Sequence, residues 1–112
     1  MTTTRLFISL SSLAFCAAQL TTRCRLGTNG PNVSCIALGT LRLNQDGRTA
    51  ADSLAIIQNA VANGITTFDL SDVYGGGQAL HLFGQALQLS PGLREKVEII
   101  AKVLYCACVR AR

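Results

Sequence analysis

The apolar positions of this chain change their spacing repeatedly between Ile36 and Val103, and each change marks an element. Ile36 to Leu43 is a compact apolar run interrupted by Gly39, the pattern of a first buried strand. Thr49-Ala-Ala-Asp52 has the Ser/Thr-x-x-acid form of a helix start, and an acid in the first turn suits the helix dipole. Leu54, Ile57 and Val61 follow at helical spacing, with Ala55 and Gln58 beside them. Ala51, Ala60 and Ala62 keep helix propensity high, and Asn63-Gly64 stops the helix because glycine accepts a left-handed conformation. Ile65 to Leu70 predicts a second strand, which opens into a polar, glycine-rich loop ending at Gly77. Leu80, Phe83, Ala86 and Leu87 give a second helix over 78–89, ended by Ser90-Pro91-Gly92. Val97 to Val103 is a third apolar run of strand character. The order is strand, helix, strand, helix, strand, with crossovers long enough for right-handed parallel pairing. The fold class is therefore α/β.

The ends read differently. Residues 23–35 carry Gly27, Asn29-Gly30 and Pro31, all turn residues, and form either a short hairpin or an irregular lead-in. Residues 1–20 place Arg5 before an apolar run dotted with Ser9, Ser11, Ser12 and Gln19, too short and too polar for stable membrane insertion. Cys16-Ala17-Ala18 supplies the small residues of a signal-peptidase site, while the Ser, Thr and Arg content without acid equally resembles a plastid or mitochondrial transit peptide. An N-terminal helix that packs on a cytoplasmic protein is the plainer alternative. Residues 104–112 have no turn signal and no further period, and read as a tail.

Composition narrows the classes. Hydrophobic residues make up 49% of 112 positions and charged residues 14%, which excludes a disordered chain and allows one domain. The net charge of +4 belongs to the first 45 residues, which hold Arg5, Arg23, Arg25 and Arg42 and no acid. Beyond them acids and bases balance, so no basic stripe points to nucleic acid. Five cysteines without a regular framework argue against a disulfide scaffold. Cys106-Ala107-Cys108 has no second Cys/His pair, and with His81 the lone histidine no metal site is expected.

Chemistry concentrates in one stretch. Asp69 ends the second predicted strand and Tyr74 lies five residues on, an acid and a phenol at the carboxyl end of a strand, where (β/α) barrels keep their reacting groups. Asp69 read as a strand-end cap is the structural alternative, and Asp72 reads as loop structure or as a cap for the next helix. Gly75-Gly76-Gly77 lacks both G-x-G-x-x-G and a Lys-Ser/Thr ending, so it is a flexible turn rather than a phosphate loop.

Taken together, Leu38-Gly39-Thr40, Gly64-Ile-Thr-Thr-Phe-Asp69, Asp72-Val-Tyr-Gly75, Phe83-Gly-Gln-Ala-Leu87, Arg94-Glu-Lys96 and Ala101-Lys-Val103 resemble the aldo-keto reductases. The Tyr-Gly-Gly loop and the Leu-Ser-Pro-Gly-Leu-Arg-Glu spacing are most similar to their bacterial-type branch. The resemblance implies a (β/α)8 barrel, of which residues 23–103 supply the N-terminal three β/α units, a truncated barrel. It implies NADPH as cofactor and a small-molecule carbonyl substrate. It assigns catalytic roles to Asp69, Tyr74 and Lys102, and cofactor contacts to Gly39, Thr40 and Leu41 together with Asp69. Hydride delivery to a carbonyl builds charge on oxygen that a phenol can protonate, and a neighbouring ammonium makes a phenol a better acid. Lys102 alone reads as a solvated strand end; only the resemblance raises it.

The family's histidine belongs at the end of a fourth strand and is not matched; His81 falls on the second predicted helix. With three of eight strands, the outer strands are expected to lack partners, and the isolated chain to reduce carbonyls weakly or not at all. A fragment that pairs its exposed strands with another chain is the alternative function. A small open nucleotide-binding domain is a third, weakened by the missing phosphate fingerprint.

Overall fold

The computed structural model describes residues 22–103. The expected leader over 1–20 and tail over 104–112 lie outside them. The chain opens as a hairpin, β1 (Arg23–Arg25) and β2 (Asn32–Ser34), paired antiparallel with Cys24 opposite Val33. A three-stranded sheet follows in the order β3 (Ala37–Gly39), β4 (Thr67–Ser71) and β5 (Glu98–Lys102). Both of its pairings are parallel, as the alternating pattern predicts. Helix α1 (Ala50–Ala62) connects β3 to β4, and α2 (Gln78–Leu89) connects β4 to β5.

The helix boundaries follow from the residues that cap them. Thr49 Oγ1 accepts from the Asp52 amide at 3.3 Å and the Asp52 carboxylate accepts from the Thr49 amide at 2.8 Å, a reciprocal capping box. Those Thr49 bonds hold the Asp52 carboxyl below its ordinary value. At the other end Gly64 takes φ +81, its amide bonds Val61 O and the Ile65 amide bonds Ala60 O, a Schellman closure. Gly77, at φ +90, starts α2 without a side-chain cap, so Asp72 is loop structure and not the cap of that helix.

The core lies between the sheet and the two helices. Phe68 and Leu70 of β4 meet Ile57 of α1 and Ala79, Phe83 and Ala86 of α2, with Leu43, Leu93 and Val97 closing the edges. The Phe68 and Phe83 rings stand 5.3 Å apart at 56°, the tilted contact that aromatic quadrupoles favour. Two expectations shift. The first strand is three residues long, not Ile36 to Leu43, because Thr40 turns away to bond Asp69 and Leu43 bonds Thr40 O. Leu80 is exposed, because the buried face of α2 runs through Ala79, Phe83 and Ala86, and alanine there lets the helix approach the sheet.

The hairpin seats on the amino ends of β4 and β5. Ser34 Oγ accepts from the Thr66 and Thr67 amides at 3.1 and 2.9 Å, and the Ser34 amide donates to Thr67 Oγ1 at 2.9 Å. Arg23 donates to Glu98 at 2.6 Å and to Thr66 Oγ1 at 2.8 Å. Burial opposes the Glu98 charge, but bonds from Thr66, Arg23 and Thr67 outweigh it and hold the carboxyl below its ordinary value. Cys24 and Cys35 form a disulfide with Cα atoms 5.1 Å apart. That corrects the reading of the cysteines as lacking a framework, since an odd count does not prevent one hairpin from bringing two of them together.

Replacing Thr49 with alanine removes the capping box and is expected to lower stability by about 1 kcal/mol. Urea unfolding followed by circular dichroism measures it, and an unchanged midpoint would show that the cap contributes nothing.

Candidate active site

Strand alternation decides where Asp69 points. Phe68 and Leu70 are buried toward the helices, so Asp69 and Ser71 project from the opposite face of β4. Asp69 is opposite Ile100 in register, and Lys102 lies two residues beyond it on the same face of β5. β4 spans Thr67–Ser71, one residue further than the predicted end at Leu70, so Asp69 lies two residues before its carboxyl end. Lys102 is the last residue of β5.

The three predicted catalytic residues meet. Lys102 Nζ donates to Asp69 Oδ2 at 2.9 Å and to the Tyr74 hydroxyl at 2.6 Å, and that hydroxyl donates to Asp69 Oδ2 at 3.0 Å. The ammonium also stands 5.0 Å from the centroid of the Tyr74 ring. The triangle closes through the loop, where Gly75, Gly76 and Gly77 all take positive φ, so the expected flexible turn is a run of left-handed residues. A Cβ at Gly75 would run into the Asn44 side chain, so this glycine lets the Tyr74 loop lie against the segment after β3.

The charges reinforce one another. The Lys102 hydrogen bond is the main effect holding the Asp69 carboxyl below its ordinary value; partial burial opposes it and the Tyr74 bond adds to it. Reciprocally, the Asp69 bond and then the Tyr74 bond raise the Lys102 ammonium. Carboxylate and ammonium therefore both stay charged across the neutral range, with the phenol hydroxyl held between them.

The predicted cofactor residues adjoin this triangle. The Thr40 amide and hydroxyl both donate to Asp69 O, at 3.1 and 2.9 Å, and Thr40 O accepts from the Leu43 amide. Thr40 is thus a support for the Asp69 backbone, a role sequence reasoning missed; a threonine next to a strand-ending glycine was its only signal. Gly39 has nothing within 4 Å of where a Cβ would stand, and Leu41 is 56% exposed. A groove whose lining includes Leu38, Arg42, Arg48 and Phe68 takes in the predicted cofactor residues Gly39 and Thr40 but none of Asp69, Tyr74 and Lys102. His81 is exposed on α2. Among the described residues no group of three or more His, Cys, Asp or Glu could hold a metal, and no helix is long and apolar enough to cross a membrane.

The structure is thus a parallel α/β sheet with a carboxylate, a phenol and an ammonium joined by hydrogen bonds toward its carboxyl end. The aldo/keto reductase family model matches residues 35–111, and the chain belongs to that family. An uncharacterized oxidoreductase of Bacillus subtilis (strain 168), YcsN, is 48% identical over 64 residues, 57% of this chain and 21% of that protein. Oxidoreductase YdhF of Escherichia coli (strain K12) is 38% identical over 80 residues, 71% of this chain and 27% of that one. A 6-dehydroglucose reductase of Agrobacterium fabrum (strain C58) is 42% identical over 71 residues, 62% of this chain and 24% of that one. The thermostable aldo-keto reductase Tm1743, solved with the inhibitor epalrestat, superposes with a TM-score of 0.61 at 27% identity over 73% of this chain and 31% of its own. The chain spans about a quarter of the length of these curated relatives.

The ion pair sets a pH window. Because the Asp69 value is lowered in the fold, its stabilisation is present above the ordinary 3.8 and is lost as pH falls through the folded value. The raised Lys102 value makes its share fully present below 10.5 and lost as pH rises through the folded value. A carbon-detected NMR titration is expected to place Asp69 below 3.8 in the wild type and closer to 3.8 in Lys102→Met. Identical curves would show that the ammonium does not act on it.

Proposed function

We propose that this chain carries the proton-donating half of an NADPH-dependent carbonyl reductase site, on the first three β/α units of a (β/α)8 barrel. The observation that carries the reading is the Asp69–Tyr74–Lys102 triangle at the carboxyl ends of parallel strands. Bound nicotinamide supplies the hydride. The fit at this end is steric: open space in front of Gly39 and the exposed apolar Leu41 suit a flat ring, whereas the polar groups of Thr40 are already engaged. Thr40 instead fixes the Asp69 backbone. Asp69 holds Lys102 charged and oriented, and Lys102 stabilises the negative charge that Tyr74 acquires when it gives up its proton. In the structure that proton points at Asp69, so the hydroxyl must rotate away from the carboxylate to reach a carbonyl oxygen. Rotation leaves the Lys102 contact in place, so the acid is stabilised throughout the transfer. The substrate class is aldehydes and ketones.

A second reading is favoured by one observation. Among the described residues β3 and β5 each pair on one side only, and Ile99 and Ile100 of β5 and Val103 just after it are exposed. An additional strand from another chain fits that edge, which makes strand pairing a non-enzymatic alternative.

The test is carbonyl-dependent NADPH consumption by the longest polypeptide the transcript encodes. Tyr74→Phe is expected to slow it by about 10²–10⁴-fold while NADPH binding, read by fluorescence, is unchanged. An unimpaired Tyr74→Phe variant overturns the acid assignment. Absence of turnover together with a monodisperse complex with a full-length relative favours the pairing reading.

A further inference from the structure

The hairpin is held to the sheet by polar groups and little else. Its strands are three residues each, and Val33 is its buried hydrophobic residue. Two-stranded ribbons of this size are marginal on their own, so what closes the ribbon matters. The Cys24–Cys35 bridge closes it, across 11 residues of chain, and the Cys35 amide donates to Thr22 O at 3.0 Å beside it.

The positions of the two cysteines are informative. Cys24 directly follows Arg23, which bonds Thr66 and Glu98, and Cys35 directly follows Ser34, which bonds Thr66 and Thr67. The bridge thus ties together the two anchors that grip the amino ends of β4 and β5. Both cysteines are exposed, as are Arg23 and Arg25 on either side of Cys24. Arg23 is paired with Glu98, whereas among the described residues Arg25 bonds only the Gly30 carbonyl, so the Arg25 guanidinium is the positive charge beside the bridge that ion pairing leaves unbalanced. An accessible disulfide in a positive setting attracts an anionic thiolate and favours the thiolate it displaces.

We propose that Cys24 and Cys35 form a thiol–disulfide exchange site for anionic low-molecular-weight thiols, and that the state of the bridge sets how firmly the hairpin grips the strands beneath it. In the first step a thiolate attacks one cysteine sulfur, forming a mixed disulfide, and the other cysteine leaves as a thiolate that takes a proton from water. A second thiol then attacks the mixed disulfide on the sulfur of the first thiol and releases the remaining cysteine. Two thiols are oxidised to their disulfide, and the bridge is reduced by two electrons to a dithiol. The site lies at the pole of the sheet opposite Lys102 and does not depend on the proposed reductase activity.

The experiment equilibrates the full chain with reduced and oxidised glutathione at a series of ratios. Acid quenching and alkylation precede peptide mass mapping, with amide hydrogen exchange measured in parallel. Oxidising ratios are expected to give a Cys24–Cys35-linked peptide, and reducing ratios the dithiol, with a glutathione adduct on one of the two cysteines between them. Opening should accelerate exchange at the Ser34, Thr66 and Thr67 amides by up to about 100-fold, the scale set by loop-closure entropy for a ring of this size. The α2 amides should change little. The Cys24→Ser/Cys35→Ser double variant should exchange fast at those sites at every ratio. The proposal is overturned if no Cys24–Cys35 linkage forms under oxidising conditions, or if opening it leaves those amides unchanged. A double variant that still responds would assign the response to Cys16, Cys106 or Cys108 and overturn it equally.

Discussion

The structure depends on the alternation of β4, whose Thr67, Phe68, Asp69, Leu70 and Ser71 sit between two parallel neighbours. Burying Phe68 and Leu70 against the helices is worth several kcal/mol of apolar transfer and cannot be traded for any other register. A slip of one residue would drive Asp69 into the hydrocarbon layer, where an unpaired carboxylate is very costly. Core packing therefore fixes the direction of the Asp69 side chain before any partner is considered. Lys102 reaches it because the same register places β5 with its last residue on the same face.

The two poles of the sheet satisfy their strand ends differently. At the amino pole, Ser34, Thr66, Thr67, Arg23 and Glu98 form a network in which each polar group already has a partner. At the carboxyl pole, the Asp69–Tyr74–Lys102 triangle engages two of the three Lys102 ammonium protons and leaves the side chain more than half exposed. A closed network resists change, whereas an open one offers an incoming oxygen a place to bind. The contrast between a closed network at one end of a parallel sheet and an open one at the other matches the division of labour that the proposed function assigns to them.

Much of this was legible in the sequence, for identifiable reasons. Helix limits are local: Thr49 with Asp52, Asn63 with Gly64 and Ser90-Pro91-Gly92 state them within a few residues. Asp69 and Tyr74 were legible because strand and loop follow directly on one another. Lys102 was not legible from its surroundings, because its partner lies 33 residues away across a crossover, and only the family resemblance brought it forward. The length of β3 was misjudged because an apolar run does not reveal that Thr40 will bond the Asp69 carbonyl. The Cys24–Cys35 bridge was missed because a residue count carries no register; the turn at Asn29-Gly30-Pro31 brings the two together.

Thr40 links these observations. It ends the first strand, and its amide and hydroxyl both hold the main chain of the residue whose carboxylate anchors the triangle. A threonine hydroxyl buried and satisfied in this way restrains backbone position rather than charge, so it acts on geometry alone. The Asp69 main chain is then held by the β3–β4 ladder and Thr40, and its side chain by Lys102 and Tyr74. Restraint at both ends removes most of the freedom of the carboxylate. In the proposed role of Tyr74 as acid, only its hydroxyl would then have to reorient, while the carboxylate and ammonium beside it are already in place.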